Sequence, residues 1–157
     1  MWAAVKFLSL PVFVITITLA WLWLDGVMGW RGPRIPRAGQ FVLALGAALM
    51  LWCFVLFLRV GKGSPHPFVA KTKHLVTAGP YRYVRNPMMW GVGVVLVGLA
   101  LWLGSLGLWF GLAAFVLFVT LFVRLYEEPD MERRFGEEYR EYCGRVPRWW
   151  PRFGNSS

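Results

Sequence analysis

Apolar and polar positions along this chain fall into long blocks rather than short periods. Four blocks, residues 7–24, 41–58, 88–103 and 106–123, contain no Asp, Glu, Lys, Arg or His. A helix needs roughly 17 to 25 such residues to cross the hydrocarbon core of a bilayer, so each block predicts a spanning helix, the third only just long enough. The first block shares features with a secretion signal. Its long apolar stretch, the single basic flank Lys6 and the lack of a small-residue cleavage site in "LDGVMGW" predict a retained span instead. Only Gly104 and Ser105 separate the third block from the fourth, which predicts a tight antiparallel hairpin. A Gly/Pro loop containing Trp30 joins the first two blocks. The stretch from Arg59 to Pro87, which joins the second to the third, is too long for a mere connector.

Beyond the fourth block the pattern changes. Met131, Phe135, Tyr139 and Tyr142 step by four, four and three, which is one face of a helix whose other face is charged. Such a helix is expected to lie on the membrane surface, to stop at Gly144 and Pro147, and to be followed by "PRWWPR" as an aromatic and basic interfacial anchor. The predicted architecture is all-α: an integral membrane protein of four transmembrane helices plus a cytoplasmic interfacial C-terminal helix, forming one membrane domain over residues 1–157.

Composition sharpens this picture. The chain is 57% hydrophobic and 16% charged, against roughly 25% charged in an ordinary soluble domain. Its net charge of +9 invites a nucleic-acid reading, but no soluble reader domain is present to carry the charge, and no nucleic-acid partner is expected. Topology accounts for it better. Every Lys and Arg except Arg31, Arg34 and Arg37 falls on the side reached after the second and fourth blocks. The positive-inside rule then places both termini and the 59–87 stretch in the cytoplasm, next to anionic lipid headgroups. The absence of ionisable residues from all four blocks argues against ion-coupled transport. No metal site is expected, because His74 lacks the Cys or acidic companions that would make it a ligand. Cys53 and Cys143 read as an apolar filler and a cytoplasmic thiol.

The polar chemistry is concentrated in "KHLVTAGPYRYVRNP" before the third block and "RLYEEPDMERR" after the fourth. The hairpin brings these two stretches to the same side. Asn86 and Pro87 have the residue types of a helix start, Asn as cap and Pro in the first turn. Its free N–H groups, its dipole and Arg85 together suit a carboxylate or phosphate. The competing reading is that Arg82 and Arg85 snorkel to headgroups. Gly91 and Gly93 allow a helix or a ligand to come close, small-residue helix packing being the plainer use. Tyr81 and Tyr83 suit an interfacial aromatic belt. Glu127 and Glu128 can bind a cation or ammonium, or sit as acids at the start of a new helix beginning at Pro129. Together these groups suit a zwitterionic aromatic cofactor at the bilayer surface.

"HLVTAGPYRYVRNP", followed after the hairpin by "EEPDMERRFGEEYREYCGRVPRW", resembles the integral-membrane methyltransferases typified by isoprenylcysteine carboxyl methyltransferase, with phosphatidylethanolamine N-methyltransferases as a more distant branch. The similarity covers Lys71 to Trp150. It implies S-adenosylmethionine as methyl donor, held between the ends of the last two spans and the C-terminal segment. Carried over by position, Lys73, His74, Leu75 and Val76 would wrap the adenosine. Tyr81 matches the motif tyrosine, and Arg85, Asn86, Pro87, Met88 and Met89 match an Arg-His-Pro-x-Tyr segment. Gly91 and Gly93 match a Gly-x-Gly, and Glu127 with Glu128 a pair of glutamates. On this resemblance the helix start holds the cofactor's carboxylate and Glu127 its ammonium. Asn86 stands where the family has His, and Met89 where a Tyr is common.

The expected activity is methyl transfer to a lipid-like or small amphipathic acceptor that arrives from the membrane, with Arg124 orienting an acidic acceptor or Glu128 serving as base for an amine. Phospholipid amine N-methylation is the alternative chemistry. A non-catalytic protein that its basic and aromatic clusters anchor to lipid is the alternative of another class.

Overall fold

The computed structural model describes residues 15–16, 18–61 and 74–151. The start of the first apolar block and Lys73 lie outside the described residues. The described residues form helices joined by turns. Helix α1 (18–28) runs past the expected end of the first block at Leu24, through Asp25, and Gly29 (φ +67°) ends it. Helix α2 (Pro36–Arg59) begins before its apolar block because Pro36 supplies a preset φ in its first turn. Helices α3 (Pro87–Leu103) and α4 (Leu106–Phe122) form the expected hairpin. Gly104 (φ +66°) ends α3 in the left-handed region, and the Ser105 side chain accepts the Leu108 N–H to cap α4.

By length and composition, Pro36–Arg59 and Leu106–Phe135 can each cross a membrane, whereas α3 is apolar but shorter, at 17 residues. The second of these helices is longer than the pattern predicts. It continues through a π-helical stretch, Val123–Glu127, directly into α5 (Glu128–Phe135). The Glu128 N–H bonds to the Val123 carbonyl five residues back. The wider turn lets the helix run on into Pro129, which has no N–H to offer.

Helices α2 and α3 meet at bare backbone. A Cβ built on Gly98 would sit 2.5 Å from the Leu43 nitrogen, and one on Gly46 would sit 2.8 Å from the Val95 nitrogen. Gly39 faces Trp102, and Gly91 faces Met50. Glycines at seven-residue spacing on each helix therefore form a small-residue contact of the kind that lets helices associate closely in lipid. At the far end of the hairpin, the buried Asp25 joins α1 to the turn. It accepts the Ser105 hydroxyl and the Gly107 N–H, the latter at 2.9 Å. A carboxylate at the N-terminus of α4 complements both the free amides and the helix dipole.

The expected single C-terminal helix is in fact two, α5 and α6 (Glu137–Arg145). They break at Gly136, whose φ of +54° with ψ of −125° suits glycine alone. The predicted apolar face survives the break, since Met131, Phe135, Tyr139 and Tyr142 gather around Leu75 and Val146. "PRWWP", expected to be an interfacial anchor, instead doubles back as a strap. The Pro147 carbonyl accepts the Arg85 N–H at 2.9 Å, and the Trp149 carbonyl accepts the Trp90 indole at 3.0 Å. Trp149 itself packs against the Leu96, Phe115, Val119 and Val123 cluster between α3 and α4.

Candidate functional site

Between the 74–86 loop, the start of α3, the π turn and the C-terminal helices lies a cavity that is partly open to solvent. Leu75, Val76, Tyr81, Arg85, Asn86, Met89, Glu127 and Glu128 all line it, so the hairpin brings the two polar stretches to one place. Phe57, Met88, Val123, Met131, Tyr139 and Tyr142 complete the lining. Chain-local patterns did not mark Phe57 as a wall residue, because its approach depends on how α2 packs.

The "GPYRYVRNP" stretch divides by side. Its first four residues form a short 3₁₀ turn, Gly79–Arg82, which turns Tyr81 inward and leaves Arg82 and Tyr83 exposed. The Tyr81 ring packs edge-on against Phe57, and its carbonyl accepts the Tyr142 hydroxyl at 2.7 Å. Burial raises the Tyr81 and Tyr142 phenols well above their usual range, so both stay neutral. Asn86 does not cap α3 with its side chain as expected. Its amide instead donates to the Arg148 carbonyl at 3.3 Å, a partner in the strap. Among the described residues no side-chain cap forms at the start of α3, and Asn86, Met88 and Met89 bring that start to the cavity.

Several other expected site residues stand elsewhere. His74 and Arg124 are exposed, and neither lines the cavity. Pro87 is buried at the first position of α3, behind the cavity lining. Gly91 serves the contact with α2, and nothing comes nearer to the position of a Gly93 Cβ than Leu112, at 4.0 Å.

The two glutamates differ sharply in their surroundings. Glu128 accepts from Arg85 at 2.8 Å and, on both of its oxygens, from Arg148 at 2.7 and 2.6 Å. Glu127 Oε2 is buried with no hydrogen-bond partner among the described residues. Burial, with Glu128 and Asp130 adding to it, pushes the Glu127 carboxyl up to about 7. Arg85 Nε is likewise buried without a partner, although its Nη1 reaches Glu128 and the Cys143 sulfur. Among the described residues, no group of three or more His, Cys, Asp or Glu converges on a point that could hold a metal.

The fold is thus that of a helical protein with bilayer-length apolar helices, and its cavity lining includes two buried side-chain atoms, Arg85 Nε and Glu127 Oε2, that have no hydrogen-bond partner among the described residues. The chain belongs to the phospholipid methyltransferase family, whose pattern matches residues 36–138. It is also similar to an uncharacterized protein of Haemophilus influenzae, 39% identical over 56 residues, which is 36% of this chain and 89% of that protein. Family membership makes the chain a membrane methyltransferase of the lipid type.

Proposed function

We propose that the protein is an S-adenosylmethionine-dependent methyltransferase acting on a lipid-like or small amphipathic acceptor. The observation that carries this reading is the pair of orphaned buried atoms, Arg85 Nε and Glu127 Oε2, on residues that line one cavity. A buried donor and a buried acceptor without partners are costly unless a ligand satisfies both. The amino-acid end of this cofactor, a carboxylate beside an ammonium, has the matching pair of charges.

In this reading Arg85 and the uncapped start of α3 hold the carboxylate, and Glu127 holds the ammonium. The apolar wall of Leu75, Val76, Tyr81, Met88 and Met89 takes the adenosine and excludes water. The cofactor supplies an electrophilic methyl group. The residues around it align an acceptor with that group in line. Glu128, tied to two guanidinium groups, is poorly placed to act as a base. Arg124, outside the lining, is left without a role at the cavity. Four spans with both termini in the cytoplasm would put the cavity at the cytoplasmic face, where the cofactor enters from water and the acceptor from lipid.

Calorimetry of the detergent-solubilised protein with S-adenosylhomocysteine tests the proposal: saturable one-site binding is expected, and a flat titration would refute it. Incubation with methyl-labelled cofactor and a membrane lipid extract then identifies the acceptor. A labelled amine headgroup would select the phospholipid branch, and a labelled carboxyl or thiol the other.

A further inference from the structure

Arg148 lies in the strap and does not line the cavity, and its sequence context, "PRWWPR", pointed only to an interfacial anchor. It nevertheless has the best-formed ion pair at the site. Its guanidinium grips both oxygens of Glu128 as a fork, whereas Arg85 reaches only one of them, through a single nitrogen. The side chains of Arg85, Glu128 and Arg148 are 13%, 17% and 29% exposed, so solvent screens their charges only in part. Two guanidinium groups around one carboxylate leave one positive charge in excess. Because Arg148 takes the bidentate position, the excess charge and the unpartnered Nε rest on Arg85.

We propose that Arg148 is a positioning residue that neutralises Glu128 and thereby leaves Arg85 free to bind an anionic group, the carboxylate of the cofactor under the function proposed above. Without Arg148, Arg85 is the one guanidinium partner left to Glu128 among the described residues, and the two cancel. The strap's backbone contacts set the register: the Pro147 and Arg148 carbonyls accept from the N–H of Arg85 and the side chain of Asn86, so the fork arrives opposite Glu128. The strap thus makes the site selective for adenosyl ligands that carry an amino-acid carboxylate over those that lack one.

The test is binding of S-adenosylhomocysteine and of 5′-methylthioadenosine, which lacks the amino-acid end, to the full chain in detergent. Arg148→Gln is expected to weaken S-adenosylhomocysteine roughly tenfold or more, the scale of one charge-assisted hydrogen bond, and to leave methylthioadenosine within about twofold. Arg148→Lys, a point charge without the fork, is expected to fall between. Adding Glu128→Gln to Arg148→Gln removes the competing carboxylate and is expected to restore S-adenosylhomocysteine affinity to within roughly threefold of the natural chain. An equal loss for both ligands, or no rescue by the double substitution, would show a merely structural strap and overturn the proposal. Should Arg148→Gln fail to fold, the ligand ratio in Arg148→Lys decides: an unchanged ratio overturns it. If the natural chain binds neither ligand, the proposed function itself falls, and this inference with it.

Discussion

Replacing Glu127 with Gln separates binding from stability at one carboxyl group. The glutamate is raised from an ordinary 4.5 to about 7, chiefly by burial and then by Glu128 and Asp130. That rise is equivalent to about 3.5 kcal/mol at roughly 1.4 kcal/mol per unit. Because the residue keeps some solvent contact, a realistic share is about 1 to 2 kcal/mol. The sign follows from linkage: the folded protein holds a proton that the unfolded chain has already lost. Stability therefore falls as pH rises from about 4.5 to about 7 and levels off above that. Ligand binding should run the other way. An ammonium group needs the ionised carboxylate, so S-adenosylhomocysteine affinity is expected to climb between pH 6 and pH 8. Glu127→Gln should then raise the unfolding midpoint at pH 8 while weakening S-adenosylhomocysteine by roughly tenfold to a hundredfold, the scale of a charged hydrogen bond, and should flatten the pH dependence. Calorimetry at three pH values, with thermal unfolding of the same samples, measures both. Affinity that is flat from pH 6 to pH 8 in the natural chain, or unchanged in the variant, would refute the reasoning.

Other expectations are simpler to state. Arg85→Ala should reduce S-adenosylhomocysteine affinity at least tenfold by calorimetry; a change confined to lipid preference would instead favour the snorkelling role. Gly98→Leu should drive a side chain into the α2 backbone near Leu43 and cost at least about 1 to 3 kcal/mol, seen as a lower unfolding midpoint in detergent. Asp25→Ala should cost about 1 to 2 kcal/mol by exposing the start of α4. Because Asp25 sits at the other end of a 17-residue hairpin helix, about 25 Å from the cavity, cofactor affinity should not change with it.

Block patterning made most of the helical framework legible. Apolar runs, Pro36, Pro87, Gly104 and Ser105 are local signals, and each acts within one or two turns of its own position. The same local logic failed at Asn86, whose cap was lost to a carbonyl 62 residues away, and at Gly136, where a glycine suited to a sharp break split an otherwise helical pattern. Asp25 drew no notice as a loop residue, because its partners Ser105 and Gly107 reach it only once α1 packs against the hairpin.

The candidate site shows the same division. Its raw materials, Arg85, Tyr81 and the paired glutamates, and the hairpin that brings them together, are written in the chain because the spacing of a two-residue turn dictates which ends meet. Adjacent glutamates look alike in sequence. Only the tertiary structure decided that Glu128 is gripped by Arg148 while Glu127 keeps an unpartnered buried oxygen. Neighbouring residues on a helix point about 100° apart, and what each one meets depends on the π turn and on a strap that returns from the far end of the chain. A residue's charge is local information, but its pairing is not.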